Sequence, residues 1–231
     1  MRSIFVLAIL LVAVSSTHAQ DDAKKLFDEM EQRLAKAKSQ KFDFECEASN
    51  DRLTKLTLKG SVLWSKDNKV KFDFDGDSGT NKSHVTWVCN GETLAVQTKI
   101  GDKVTGMNRP ASAKVGEYTI GTIARASAFS AMSSMTRKDP SDPGKTKAIS
   151  FKKLDDEKVD GKLAHVLEYA FSTPQGNTLK GKLWLDAKTK LPVKRHVEIY
   201  VDDNVQSRIT ETYSNWMLNV DLPKDAFALP N

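Results

Sequence analysis

Residues Gly60 to Gly76 read GSVLWSKDNKVKFDFDG, which is the end of one strand, a turn at Lys66-Asp67-Asn68, and a second strand running back. Val62, Trp64, Val70, Phe72 and Phe74 share even positions with polar residues mostly between them, the period of a pleated sheet with one buried face. The same alternation extends outward. Phe42, Phe44, Cys46 and Ala48 precede it, then Leu56 and Leu58; Val85, Trp87 and Cys89 follow, then Leu94 and Val96. The opposite faces carry Lys41, Asp43, Glu45, Glu47, Lys55, Lys59, Lys69, Lys71 and Asp73. This predicts an antiparallel meander with one wet face and one broad apolar face.

The N-terminus sets the expected compartment. Arg2 is followed by an apolar run from Ile4 to Val14 and a small-residue site, Thr17-His18-Ala19, before Gln20. The run falls short of the ~20 residues that span a bilayer, so residues 1–19 read as a cleavable signal peptide and 20–231 as a single exported, periplasmic domain. Removing 19 residues changes the charge count from +5 to 35 − 1 − 30 = +4. That excess is spread among alternating Lys and acidic residues, without the basic clusters and interleaved aromatics of a nucleic-acid binder. It is compatible with weak attraction to an anionic membrane surface.

Two cysteines follow the signal, Cys46 and Cys89. Export favours a disulfide by default, but the meander puts them on its first and fourth strands. Three steps of ~4.8 Å exceed the ~7 Å Cα limit of a bridge, so two buried thiols are expected.

The mature chain should open with a helix capped by Asp22 and ending near Ser39, its apolar side formed by Leu26, Phe27, Met30, Leu34 and Ala37. Strands are expected near 41–49, 53–65, 69–75, 83–89 and 93–99, with Asn90-Gly91 favouring a tight hairpin. Asn81-Lys82-Ser83 matches a glycosylation acceptor, relevant only to a eukaryotic route. From Met107 to Lys147 the pattern changes. Gly116 to Met135 reads as one or two helices of small residues, either buried against the sheet or acting as a lid that separates and recloses. The loop Asp139-Pro140-Ser141-Asp142-Pro143-Gly144 follows, then strands near 147–154, 163–171, 178–187, 191–201 and 205–218. About ten or eleven strands and two or three helices make an antiparallel α+β arrangement.

No catalytic constellation is visible: the chain lacks HExxH, a CxxC pair, GxSxG, a P-loop and a dinucleotide-type glycine turn. His84, His165 and His196 stand singly within strands, and Asp155-Asp156-Glu157 and Asp202-Asp203 read as acidic turns without a full set of calcium ligands. No enzyme activity, cofactor or metal is expected.

In order, KFDFECEAS, GSVLWSKDNKVKFDF, VCNGETLAVQ, a small-residue helical insert, GKLWLDAKTKLPVKRHV and NVDLPKDAFALP resemble the LolA/LolB-like group of outer-membrane lipoprotein carriers and exported relatives. The resemblance covers almost the whole mature chain. It implies an incomplete β-barrel whose concave apolar face is lidded by helices and holds acyl chains. Phe42, Phe44, Leu58, Trp64, Phe72, Phe74, Val85, Trp87 and Leu94 would line the sheet side, and Ile120, Ile123 and Phe129 the lid. Lipid acyl chains or a lipidated protein would be the ligand, transient membrane-associated proteins the partners, and the carrier a monomer. Carriers of this group have Arg-Pro at the turn after the Trp-bearing strand, where the arginine ties the lid shut. Asp67-Asn68 stands there, and Asp cannot donate those bonds, which implies a lid held by packing alone. A non-enzymatic envelope sensor or interaction module on the same scaffold is the alternative.

Overall fold

The computed structural model describes residues 5–50, 55–135 and 142–230. Arg2, the start of the strand expected from 53, and Asp139-Pro140-Ser141 lie outside the described residues. The fold is one antiparallel sheet of eleven strands, open rather than closed, with three α-helices among the described residues. The strands are β1 (Ser39–Asn50), β2 (Leu56–Ser65), β3 (Lys69–Asp77), β4 (Lys82–Asn90), β5 (Thr93–Ile100) and β6 (Lys103–Pro110). After the helical insert come β7 (Lys147–Val159), β8 (Lys162–Ser172), β9 (Thr178–Asp186), β10 (Pro192–Val201) and β11 (Asn204–Leu218). Their order is β6-β5-β4-β3-β2-β1-β11-β10-β9-β8-β7, so two meanders join through their first and last strands.

The expected alternation produces the pairing. One row runs across the concave face by direct cross-strand partners, Phe42, Val62, Phe72, Trp87, Val96 and Met107. Turns supply the backbone the hairpins need. Asp160 (φ 49°) with Gly161 (φ 77°), and Asp202 (φ 48°) with Asp203 (φ 63°), take the left-handed region that tight hairpins require. At Gly181 a Cβ would stand 2.1 Å from Tyr169 Cζ, because the tyrosine ring lies across the β9 backbone.

Helix α1 (Phe5–Lys36) buries Ala23, Phe27, Met30 and Leu34, a stripe at spacings of three and four. Phe27 sits 5.1–5.5 Å, centroid to centroid, from Phe151, Tyr169 and Phe171 on β7 and β8. At its end the buried Gln40 side chain donates to the Leu34 carbonyl at 2.7 Å. The segment expected as a buried helix or a lid forms α2 (Val115–Arg125) and α3 (Ala128–Met135). Residues of α2 pack on β2 and β3 and against α1.

Several expectations need correction. In the full chain α1 runs on through the expected cleavage point, so there Asp22 lies inside a helix and not at its N-cap. β6 occupies 103–110, where no strand was expected. All but one of its residues are exposed, so it carries no inward-outward alternation to read. Asp155-Asp156-Glu157 lies within β7 at a register shift, not in a turn. There Asp156 contacts His165, while Glu157 accepts from Trp184 Nε1 at 2.7 Å and Lys182 Nζ at 2.9 Å. Cys46 and Cys89 are free and buried, on strands three steps apart, as the spacing predicted.

Candidate functional site

The concave face and the helices over it form the candidate site. Phe42, Phe44, Leu58, Trp64, Phe72, Phe74, Val85, Leu94, Ile120 and Ile123 are buried in one hydrophobic cluster, and Trp87 and Phe129 pack partly buried against it. The structure thus brings together all twelve residues expected at the cavity. They pack closely on one another and on the C-terminal strand. Phe42 stacks on Trp216 at 4.1 Å, and Phe74 lies 6.4 Å from Phe44 and 6.3 Å from Trp87. Trp64 and Ile120 border a gap of about 480 Å³ between α1 and α2. A smaller space of about 190 Å³, reaching Phe171, Leu179 and Ile199, lies beside α2 and α3. Hollows of about 960 and 660 Å³ lie instead on the polar outward face, among Glu45, Lys59, Asp75, His84 and Thr212.

Cover over the concave face is uneven. α1 packs on β7 and β8, and α2 on β2 and β3. Along the row from Phe42 to Met107, Phe42, Val62 and Phe72 are fully buried, Trp87 and Val96 partly so, and Met107 is 46% exposed. The Trp87 indole N–H is buried and has no hydrogen-bond partner among the described residues, and a donor withdrawn from water unpaired costs about 1–3 kcal/mol.

The lid is tied down by polar contacts, which overturns the expectation of packing alone. Trp64 Nε1 donates to the Gly116 carbonyl at 2.7 Å. Asn68, at φ 59°, accepts from Gly116 N at 2.8 Å and donates to the Ser112 carbonyl at 2.9 Å. The turn therefore holds the start of α2 without Arg-Pro, through a left-handed asparagine whose φ no proline can adopt. At Gly116 the fit is tight, since a Cβ would lie 3.0 Å from the Asn68 backbone and would press on the turn.

The break between α2 and α3 is held by two buried charges that face each other in register on β10 and β11, Arg195 and Glu211. Arg195 is 1% exposed and Glu211 fully buried. The guanidinium donates to the carbonyls of Ile123, Ala124 (2.8 Å) and Ala126 (2.6 Å) at the end of α2. The carboxyl of Glu211 accepts from Ala128 N at 2.9 Å and Phe129 N at 2.8 Å at the start of α3, and from the Tyr213 hydroxyl. A cation thus meets the negative end of one helix and an acid the positive end of the next. Burial holds the Glu211 carboxyl above its ordinary range, outweighing Tyr213, the two backbone donors and Arg195. The Cys46 thiol is pushed up first by the same burial and then by Glu211.

Sequence reasoning missed Asn68, Arg195 and Glu211 as anchors. For the last two a signal existed: Arg195 and Glu211 occupy inward positions of alternating strands, beside Val197 and between Ile209 and Tyr213. A third anchor joins α2 to α1, where Arg125 Nε donates to Glu31 Oε1 at 2.6 Å. Among the described residues no group of three or more His, Cys, Asp or Glu is placed to hold a metal ion, and no helix is long and apolar enough to cross a membrane.

Residues 23–231 match the model of a family described as predicted periplasmic protein (DUF2092). No curated protein matches the chain. Among solved structures, LprF from Mycobacterium bovis aligns at 14% identity over 92% of this chain and 98% of its own, with a TM-score of 0.55. The LolA superfamily protein NE2245 from Nitrosomonas europaea aligns at 12% identity over 89% and 97%, with a TM-score of 0.38. The MucA/MucB complex of Pseudomonas aeruginosa aligns at 13% identity over 90% of this chain and 61% of that one, with a TM-score of 0.39. The likeness to LprF is one of fold: an open antiparallel sheet with helices on its concave side.

Proposed function

The chain belongs to that periplasmic family, and we propose that it is an exported, non-enzymatic carrier whose concave sheet face takes acyl chains of a lipid or lipidated protein. The signal peptide would be removed after Ala19 and the mature protein would act as a monomer. One observation carries this reading: the apolar row from Phe42 to Met107 runs continuously from a lidded interior to an uncovered sheet edge. An acyl chain laid along it would cover Met107 and Val96 and reach Trp87, each buried methylene contributing about 0.8 kcal/mol. The α2–α3 lid, with small residues at Ala124, Ala126, Ala128 and Ala131 buried beneath it, would lift to admit more of the chain.

A second reading, an envelope sensor or interaction module, is favoured by the packing of the same face. Phe42, Phe72 and Leu94 are already buried against protein, as in a scaffold whose apolar face is filled by its own side chains.

Native mass spectrometry of the protein recovered after export separates the two. A co-purifying lipid, and a Trp87-dependent fluorescence change when an acyl probe is added after delipidation, are expected of the carrier. Phe72→Asp, which puts an unpaired charge on that face, should abolish both in whatever fraction folds. A lipid-free protein with no response to any acyl probe would leave the module reading standing.

A further inference from the structure

The corner of the sheet formed by β5 and β6 differs from the rest of the surface. Six large hydrophobic side chains are exposed among the described residues, and three of them lie here: Ile100 at 49%, Val104 at 53% and Met107 at 46%. Register sets what stands beside them. Lys99 is directly opposite Val104, and Ile100 directly opposite Lys103. Cross-strand partners share a face, so each face of the corner presents one lysine next to one apolar side chain. Some exposed strand lysines meet acids, as Lys59 meets Glu45 at 2.6 Å. Lys99 and Lys103 make no ion pair among the described residues. From Val96 to Pro110 the charges are Lys99, Lys103 and Arg109 against Asp102, or 3 − 1 = +2.

We propose that this corner is a docking surface for an anionic lipid bilayer. Ile100 and Val104 would enter the boundary between headgroups and acyl chains, with Lys99 and Lys103 reaching the anionic headgroups beside them. Lysine stems lie along apolar surface while their ammonium groups stay in the polar layer, which suits alternating Lys and apolar residues. A flat protein surface could cover one face of the corner and would leave the apolar side chain of the other in water. A bilayer interface encloses both faces at once. The geometry also has a purpose under the carrier reading, on which it rests only there: docking would bring the uncovered end of the apolar row, at Met107, to the membrane.

The test is sedimentation of the exported protein with vesicles of 3:1 phosphatidylethanolamine and phosphatidylglycerol, and with vesicles of phosphatidylcholine alone. Binding should favour the anionic vesicles and fall as salt rises. Each lysine near an anionic surface accounts for about fivefold in affinity, so Lys99→Glu with Lys103→Glu should lose at least about twenty-fivefold. Ile100→Ser with Val104→Ser should lose about tenfold or more at unchanged charge. Lys145→Glu with Lys158→Glu, which makes the same charge change at exposed positions elsewhere, is the control. Equal loss in the control, or no binding to anionic vesicles, overturns the proposal. Concentration-dependent dimers abolished by the corner variants would assign the surface to a second copy of the chain and overturn it too. A protein that binds vesicles yet carries no lipid sinks the carrier reading and leaves the docking surface in place.

Discussion

The two halves of this sheet are built from the same alternating pattern and end up in opposite conditions. On the β7–β9 side, helix α1 lays Phe27 into a cluster of Phe151, Tyr169 and Phe171, and all four rings are buried. On the β4–β6 side neither α1 nor α2 makes comparable contact, and Val96, Met107 and Ile100 progress from partly buried to exposed. An apolar residue at an inward position therefore identifies a face, and a helix decides whether that face becomes core or contact surface. The lid lies between these conditions, anchored from the β10–β11 side by Arg195 and Glu211 and from the β2–β3 turn by Asn68.

The comparison can be broken most forcefully at the buried charges. Arg195→Met leaves Glu211 buried without its cation and strips the end of α2 of its donors; Glu211→Leu does the converse. Each should destabilise by about 3–5 kcal/mol, and the pair together by clearly less than the sum, because the double variant leaves no lone buried charge. Denaturant midpoints of the four proteins measure this, and strict additivity would show that the two charges act independently.

A smaller effect separates the buried acid by pH. Burial keeps the Glu211 carboxyl above its ordinary value of 4.5, so the folded protein holds that proton more tightly than the unfolded chain. Its contribution to stability is full below that value and is lost as pH rises through the raised one. Replacing Glu211 with Gln should flatten this decline in a series of midpoints taken upward from about pH 4.5. A slope unchanged by the substitution would place the proton elsewhere.

The smallest effect belongs to the open side. Met107→Ala should shift stability by no more than about 0.5 kcal/mol, the range of exposed sites, while weakening any acyl ligand along the row. A loss near 2 kcal/mol would mean that the β6 corner is covered after all.

Much of this was legible in the residues. Strict alternation from Phe42 to Leu94 gave the meander, its inward face and the separation of the two cysteines, because a period of two leaves only one register with a dry side. β6 was not legible: KVTGMNRP faces water on both sides and so has no periodicity to betray it. The anchoring of the lid was hidden for a different reason. Arg195 and Glu211 sit on the consecutive strands β10 and β11, and alternation marks both as inward, but the helix junction they hold, from Ile123 to Phe129, lies far upstream in the chain. At Asn68 a comparison by residue type pointed away from the anchor, since a left-handed asparagine ties the turn to Gly116 by a route unrelated to an arginine fork.

The junction of β1 with β11 carries a consequence for how the chain acquires its structure. These strands pair in the middle of the sheet, Glu45 opposite Thr212, although they stand near opposite ends of the described chain. Each meander can zip from its own hairpins, but the apolar face they share is incomplete until this most distant pairing forms. Such non-local closure places folding in the slow range of β-rich topologies, milliseconds to seconds. Until then two half-sheets would each present an unpaired central edge and an uncovered apolar face, the condition in which chains aggregate. A circular permutant that links Asn231 to Gln20 and opens the chain between β6 and α2 would bring β1 and β11 much closer in sequence, with only α1 between them, and it should fold faster to the same sheet.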